Sequence, residues 1–393
     1  MIARDAAPRL AELARLYPVV TVTGPRQSGK TTLCRHSFPE LPYVSLEPLD
    51  TQEFALEDPR GFLATYPDGA VIDEVQRAPS LTSYLQAEVD ANPRPGRFIL
   101  TGSQDFALGE AVSQSLAGRT GLLELYPPSW GELQRFPSPP SNLLELLWTG
   151  AYPRIFDRQL PPHQWLSDYV GTYVQRDVRQ LLRVGDLRTF TTFVRLTAGA
   201  TATEVHLSRL GGDAGISHNT AKAWLSVLEA SYLVLRIPAW HTNVRKQSVK
   251  SAKLHMIDSG LACYLLGIHE PEQLRTHPLR GAIFESWVAA ELLKQSAHRG
   301  LPVSLYHYRD AARLEVDLVI DGPGGVTLVE VKSGATAASD FVASVERLAT
   351  AMASGSHAPR IRTRVIYGGD ARQRRGDTEI VPWAAIDREE WFT

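Results

Sequence analysis

Cysteine is nearly absent from this chain of 393 residues: only Cys34 and Cys263 occur. Two thiols so far apart in sequence exclude a disulfide framework or a cysteine-rich zinc site, and they point to a reducing compartment, the cytosol. No run of about 18 apolar residues occurs, so no ordinary membrane-spanning helix and no membrane partner is expected. The opening residues, MIARDAAPRLAELARLYP, lack the apolar stretch of a secretory signal. There is no fixed-period repeat, which excludes a solenoid. There is also no excess of charge of either sign, with 41 basic and 43 acidic residues and a net charge of −2. That balance excludes a chain that grips polyanions over its whole surface, while leaving room for local basic patches. What the chain does have is 44% hydrophobic residues. At this length that supports two or three domains with ordinary cores. The proline-rich stretch RFPSPPSN (135–142) reads as a linker.

The N-terminal third carries the sharpest motif. A β-branched run, VVTVT (19–23), precedes GPRQSGKTT (24–32), and a segment able to form a helix follows. Strand, glycine-bounded loop and helix are the context in which G-x-x-x-x-G-K-[ST] cradles a nucleoside triphosphate. Gly24 and Gly29 let the backbone curl so that the N–H groups of Pro25-to-Thr32 residues turn inward, Pro25 itself having none. The loop residues Arg26, Gln27 and Ser28 are thus expected around the phosphates, together with Thr32. The helix N-terminus adds partial positive charge. Lys30 is expected at the β- and γ-phosphates and the Thr31 hydroxyl at Mg²⁺. The next strand, GAVIDEVQRAP (69–79), ends in Asp73 and Glu74. A carboxylate at the end of a neighbouring parallel strand suits the magnesium shell, so Asp73 is assigned to Mg²⁺ and Glu74 to polarising the attacking water. A third strand, RFILTGSQDF (97–106), offers Ser103 to the γ-phosphate or the lytic water. Arg119 is a candidate arginine finger or γ-phosphate sensor, in cis or on a neighbouring subunit. The expected ligands are ATP and Mg²⁺.

The order GPRQSGKTT, AVIDEVQRAP, ILTGSQDF, SLAGRTGLLELYPPSWGEL resembles the AAA-type ATPase domain of a large, mostly uncharacterised prokaryotic family. In that family a C-terminal domain of unknown function follows the ATPase. GAYPRIF (150–156) and DYVGTYVQRDVRQLLRVGD (168–186) resemble the segment after its ATPase core. Arg176 of the Arg176-Asp177 pair is then either a second nucleotide-facing or interdomain arginine, or half of a helix-surface ion pair.

Residues 187–235 read as helices. Ser217 is the expected N-cap of an amphipathic helix with Ala221, Trp224, Leu225 and Leu228 facing inward. A β-hairpin should follow, with a basic turn. This resembles a winged helix. In a DNA-reading version, His218, Asn219 and Lys222 face the major groove and Arg245, Lys246, Lys250 and Lys253 line the wing. In the other version the module contacts protein.

The last third places Glu285 beside the apolar stripe Phe284, Trp287, Val288 and Leu292 of a helix over 281–295. Strict alternation puts Glu315, Asp317 and Val319 on one face of a strand, and Leu328, Glu330 and Lys332 on one face of the next. The set Glu285, Asp317, Glu330 and Lys332 resembles the PD-(D/E)xK nuclease site. That resemblance implies a second Mg²⁺ or Mn²⁺ on the carboxylates and a water oriented by Lys332. Six arginines, Arg360, Arg362, Arg364, Arg372, Arg374 and Arg375, either touch a phosphate backbone or form a solvated charged face.

The expected architecture is α/β. An AAA-type ATPase core of parallel sheet and flanking helices spans 1–135, a linker and helical segment 136–186, a winged-helix-like domain 187–268 and a nuclease-like α/β domain 269–393. The function expected is ATP binding and hydrolysis that gates the C-terminal module. Three versions stay open: a nucleotide-driven machine, an ATP-regulated DNA nuclease, and an interaction protein with a silent nuclease-like fold. The oligomeric state also stays open.

Overall fold

The computed structural model describes residues 2–102, 115–172, 187–240, 251–301, 304–353 and 359–392. It divides into two compact units. The first holds Met1–Pro128 with Ala297–Gly300, and the second Ser129–Ser296 with Leu301–Thr393.

The first unit is built on five parallel strands: β1 (Val19–Thr23), β2 (Tyr43–Ser45), β3 (Ala70–Asp73), β4 (Phe98–Thr101) and β5 (Thr120–Glu124). They lie in the order β2-β3-β4-β1-β5. The runs VVTVT, AVID and FILT are apolar at nearly every position because both faces of a parallel sheet are covered. Alternate side chains enter two separate cores. Val20, Val22, Val71 and Ile99 pack with Leu10 and Leu13 of helix Ala7–Leu16 and with Leu33 and Cys34 of helix Lys30–Ser37. Val19, Ile72, Phe98 and Leu100 pack on the other face with Phe62, Leu81 and Leu85. Cys34, like Cys263 in the second unit, is a buried free thiol.

The second unit begins at Ser129. Its hydroxyl caps the short helix Trp130–Leu133. Trp130 packs on Trp383 at 4.9 Å and donates its backbone N–H to the buried carboxylate of Glu291 at 2.7 Å. These bonds tie residues 129–133 into the second unit.

Helix Leu187–Gly199 is followed by β6 (Thr203–Glu204), helix Leu207–Asp213, helix His218–Ala230, β7 (Val234–Ile237) and β8 (Lys253–Met256). The three strands form an antiparallel sheet, β6-β8-β7. Ser217 caps its helix through the Thr220 N–H at 3.1 Å. Ala221, Trp224, Leu225 and Leu228 are buried, with the Trp224 ring set edge-on to Phe190 and Phe193.

Helix Arg280–Arg299 precedes a six-stranded sheet of β9 (Ser304–Arg309), β10 (Glu315–Gly322), β11 (Gly325–Lys332), β12 (Ile361–Tyr367), β13 (Gln373–Arg375) and β14 (Thr378–Pro382). Its order is β13-β14-β12-β11-β10-β9. Phe284, Trp287, Val288 and Leu292 of the helix are buried as expected, and so are Glu291 and Lys294, paired at 2.8 Å. One sequence expectation needs correction here. Val319 does not share a face with Asp317. A bulge between Val316 and Val319 inserts one residue against β9, and both valines enter the same core. One extra residue reverses every side chain beyond it.

Among the described residues, no helix is long and apolar enough to cross a membrane.

Candidate functional site

In the first unit, the strand ends bring the N-terminal motif together. β1 runs into the loop at Gly24, and helix Lys30–Ser37 leaves it. Gly24 sits at φ 140°, where a Cβ would collide with the Leu125 carbonyl, and Gly29 sits at φ 97°. Gln27 also has positive φ, 63°, a conformation that costs a non-glycine residue energy. Ser28 is fully buried, and its hydroxyl has no hydrogen-bond partner.

Lys30 is folded back on the loop, donating to the carbonyls of Gly24 (3.0 Å) and Pro25 (2.8 Å). Burial pulls its ammonium down to a pKa of about 8, with Glu74 and Asp73 partly opposing the fall. Thr31 donates its hydroxyl to Asp73 at 2.9 Å. Asp73 ends β3 and is buried. Glu74, the next residue, has φ 57° and accepts from the Gln76 amide. Thr32, with Thr31, Arg35 and His36, lines an open depression beside this helix. Arg26 is half-buried at the loop.

Three residues of this constellation were not anticipated from the sequence. Tyr43, on the edge strand, donates its hydroxyl to Asp73 at 2.8 Å. Burial and this bond push the phenol up to about 12. Thr101, at the end of β4, donates to the other Asp73 oxygen. Arg4 braces the loop by donating to the carbonyls of Ser28 (2.8 Å) and Tyr126 (2.7 Å). The polar end of FILT was a local signal for Thr101. Arg4 and Tyr43 arrive from distant segments and carried none. Ser103, Arg176 and Asp177 lie outside the described residues, as do Arg245, Lys246 and Lys250.

Arg119 corrects an expectation. Its carbonyl accepts the N–H of Val19, at the start of β1, and its guanidinium forks onto Asp90 at 2.5 and 2.9 Å. The phosphate loop leaves the other end of β1, roughly 16 Å away at about 3.3 Å per residue. A contact in cis with a γ-phosphate in that loop is therefore not what this geometry provides.

In the second unit, His218, Asn219 and Lys222 are exposed on the first turns of their helix. Lys253 was expected on a solvent-facing wing, and the structure overturns that. It is only 3% exposed, because β8 is the central strand, paired on both sides at this residue with Glu204 and Ile237. Its ammonium lies 2.8 Å from Glu285, 2.9 Å from Glu315 and 3.5 Å from Asp317. Burial opposes that charge, but the carboxylates, Glu285 first, outweigh it and hold the ammonium above its ordinary range.

The β10–β11 ladder ends at Leu318 and Val329, and Asp317 and Glu330 are the next residue along each strand. Asp317 accepts the Val331 N–H at 2.8 Å, and Lys332 donates to Glu330 at 2.6 Å. Burial, then the charge of Asp317, lifts Glu330 to about 7. Glu285, Asp317, Glu330 and Lys332 are thus gathered in one region. Yet among the described residues no three metal-ligating side chains converge on a common ion position. The arrangement does not fit the expected second Mg²⁺ or Mn²⁺, because an ammonium stands among the carboxylates.

The terminal arginines are largely engaged within the fold. Arg364 pairs with Glu379 at 3.1 Å and lies over the Trp391 ring at 4.7 Å, and Arg372 pairs with Glu389. Arg375 donates to the carbonyls of Ala337 and Ala338.

Comparison with known proteins matches three family models. Residues 16–134 match an AAA domain, and residues 141–272 and 280–386 match two domains of unknown function (DUF8612 and DUF4143). An uncharacterised protein of Mycobacterium tuberculosis is 32% identical over 342 residues, covering 85% of this chain and 74% of that protein. One of Mycobacterium bovis matches to the same extent. Among solved structures, a Walker-type ATPase of Pyrococcus abyssi aligns with 67% of this chain and 96% of its own, at 16% identity and a TM-score of 0.47. DnaA of Aquifex aeolicus bound to an ATP analogue aligns with 57% of this chain and 85% of its own, at 16% identity and a TM-score of 0.30. With a parallel five-stranded sheet, a glycine-bounded loop ahead of a helix and an AAA domain matched over that same segment, the chain belongs to one family with the uncharacterised mycobacterial proteins, and its N-terminal unit is an AAA-type P-loop ATPase domain.

Proposed function

We propose that the chain binds and hydrolyses ATP and that the nucleotide state switches its C-terminal segments between working conformations. The observation that carries this is the Thr31 hydroxyl resting on the Asp73 carboxylate at 2.9 Å, directly after the Gly24–Lys30 loop. A hydroxyl and a carboxylate at adjacent strand and helix ends are the hard oxygen donors that Mg²⁺ on a triphosphate requires. Thr31 and Asp73 would hold that ion, which neutralises phosphate charge when bound. Lys30, now on the Gly24 and Pro25 carbonyls, would exchange those acceptors for phosphate oxygens. Glu74 would accept a hydrogen bond from the attacking water and orient it. Thr101, donating to the other Asp73 oxygen, would hold that carboxylate in place for the ion.

The test is steady-state ATP turnover beside equilibrium ATP binding. Glu74→Gln should abolish turnover and keep binding. Equal turnover in that variant and the wild type would remove Glu74 from the mechanism.

For the second unit we read residues 187–268 as a winged-helix-like domain, supported by the order helix, short strand, two helices and hairpin. The exposed His218, Asn219 and Lys222 favour a nucleic-acid contact at that helix. Fluorescence anisotropy with duplex DNA at several salt concentrations tests it. Binding that weakens with salt and is reduced by Lys222→Glu supports the contact. The PD-(D/E)xK reading of the last domain is supported by the helix bearing Glu285 and by Asp317 and Glu330 standing just past the end of the β10–β11 ladder.

A further inference from the structure

The C-terminal acidic cluster already contains a cation, and it comes from outside the nuclease-like motif. Lys253 belongs to the central strand of the preceding three-stranded sheet. Two features fix its direction. Main-chain pairing holds it from both sides, opposite Glu204 and Ile237. His255, two residues on and so on the same face of β8, bonds to the Ser286 hydroxyl at 3.0 Å, beside Glu285. A further contact joins the same two sheets. The N–H of Trp240 donates to the His307 carbonyl at 2.6 Å, and the His307 N–H donates to Pro238 at 3.0 Å.

An ammonium has three protons, and here three carboxylates face it: Glu285, Glu315 and Asp317. A divalent ion on those oxygens would lie about 2.0–2.6 Å from them. The ammonium stands 2.8–3.5 Å from the same oxygens, so a metal would need them to close in around the space it vacates, and the two cations cannot be there together. One oxygen of Glu330, which feels the charge of Asp317, is buried and has no hydrogen-bond partner. It is a spare hard donor next to the cluster.

We propose that Lys253 is a tethered cation that takes the place of a divalent metal among Glu285, Glu315 and Asp317, so that the C-terminal module binds no metal while β8 is seated and acquires a metal site when the ammonium is withdrawn. This makes the three-stranded sheet a stopper for the acidic site. It is independent of the nucleotide chemistry, and it addresses why the motif residues are assembled without a common ion position.

The experiment titrates the full-length protein with Mn²⁺ alone, without nucleotide, and follows free ion by electron paramagnetic resonance. The wild type should take up no stoichiometric Mn²⁺. Lys253→Met should bind one ion per chain, and Lys253→Met with Asp317→Asn should lose it. Thermal melting of the same samples gives a second readout, because Mn²⁺ should raise the Tm of Lys253→Met and leave the wild type unmoved. Wild-type uptake of one ion that Asp317→Asn removes would overturn the proposal, since the metal would then displace Lys253 unaided. A folded Lys253→Met that binds no Mn²⁺ and gains no stability from it would also overturn it. Should Lys253→Met be unfolded without metal, refolding on addition of Mn²⁺ supports the proposal, and failure to refold, together with no uptake by Lys253→Gln, contradicts it.

Discussion

The depressed pKa of Lys30 makes nucleotide affinity depend on pH in a defined direction. Without nucleotide, burial holds this ammonium at about 8 instead of 10.5. Its present partners are two carbonyls, and the nearby carboxylates of Asp73 and Glu74 only partly compensate. A triphosphate would bring several negative charges to the same nitrogen and return its pKa towards the ordinary range. Between pH 8 and 10.5 binding must therefore draw a proton from solvent. The association constant should be flat below pH 7 and should fall up to about tenfold per pH unit above 8. The full span, about 2.5 pH units, corresponds to roughly 3 kcal/mol as an upper bound. The same linkage has a sign for stability. From pH 8 to 10.5 the unfolded chain binds more protons at this lysine than the folded one, so its contribution to stability without nucleotide rises with pH. Isothermal titration of ATP with Mg²⁺ at pH 8.5, in two buffers of different ionisation enthalpy, measures proton uptake directly. Lys30→Arg, whose guanidinium does not titrate, should show none. A wild-type affinity that stays unchanged from pH 7 to 9.5, or an equal decline in Lys30→Arg, would show that Lys30 does not take up the proton.

Other substitutions have expected outcomes of their own. Gly24→Ala should cost about 1–3 kcal/mol by urea unfolding and lose ATP binding, since φ is 140° and the added methyl meets the Leu125 carbonyl; unchanged stability would mean the loop is free to rearrange. Trp224→Ala should destabilise the second unit by about 3–5 kcal/mol in calorimetry, because the ring fills the space between Phe190 and Phe193. Glu291→Ala should cost about 3–5 kcal/mol in chemical denaturation by taking the carboxylate away from buried Lys294, whereas Glu291→Leu with Lys294→Met should be much closer to wild type. Equal losses in the single and double variants would show that the pair is not what matters there.

The parts of the molecule that were legible in the sequence are those specified by local pattern. VVTVT before a glycine-bounded loop could only be a buried strand feeding that loop, and Asp73 at the end of AVID follows from the same parallel sheet. The Ser217 cap and the inward set around Trp224 follow from helical spacing. What escaped depends on partners far away in sequence. Lys253 looks like a wing cation in KQSVKSAKLH. Its burial is decided by β6 and β7 on either side and by carboxylates from 285 to 317. Val319 escaped because a bulge breaks the two-residue period on which the face assignment rested. The place of Arg119 within its own chain escaped because a motif order does not say which end of a strand a residue occupies, and this one occupies the end away from the loop. Arg4 and Tyr43 reach the site only through tertiary structure.

Whether the Gly24–Thr31 loop grips a triphosphate is read from an equilibrium titration of the purified chain with a fluorescent ATP analogue and Mg²⁺, beside Lys30→Ala of verified fold. Saturable binding of one nucleotide per chain is expected, weakened by the substitution at least about tenfold through the loss of a buried charge–phosphate contact. Wild-type protein that fails to bind, or Lys30→Ala that binds equally well, would contradict it.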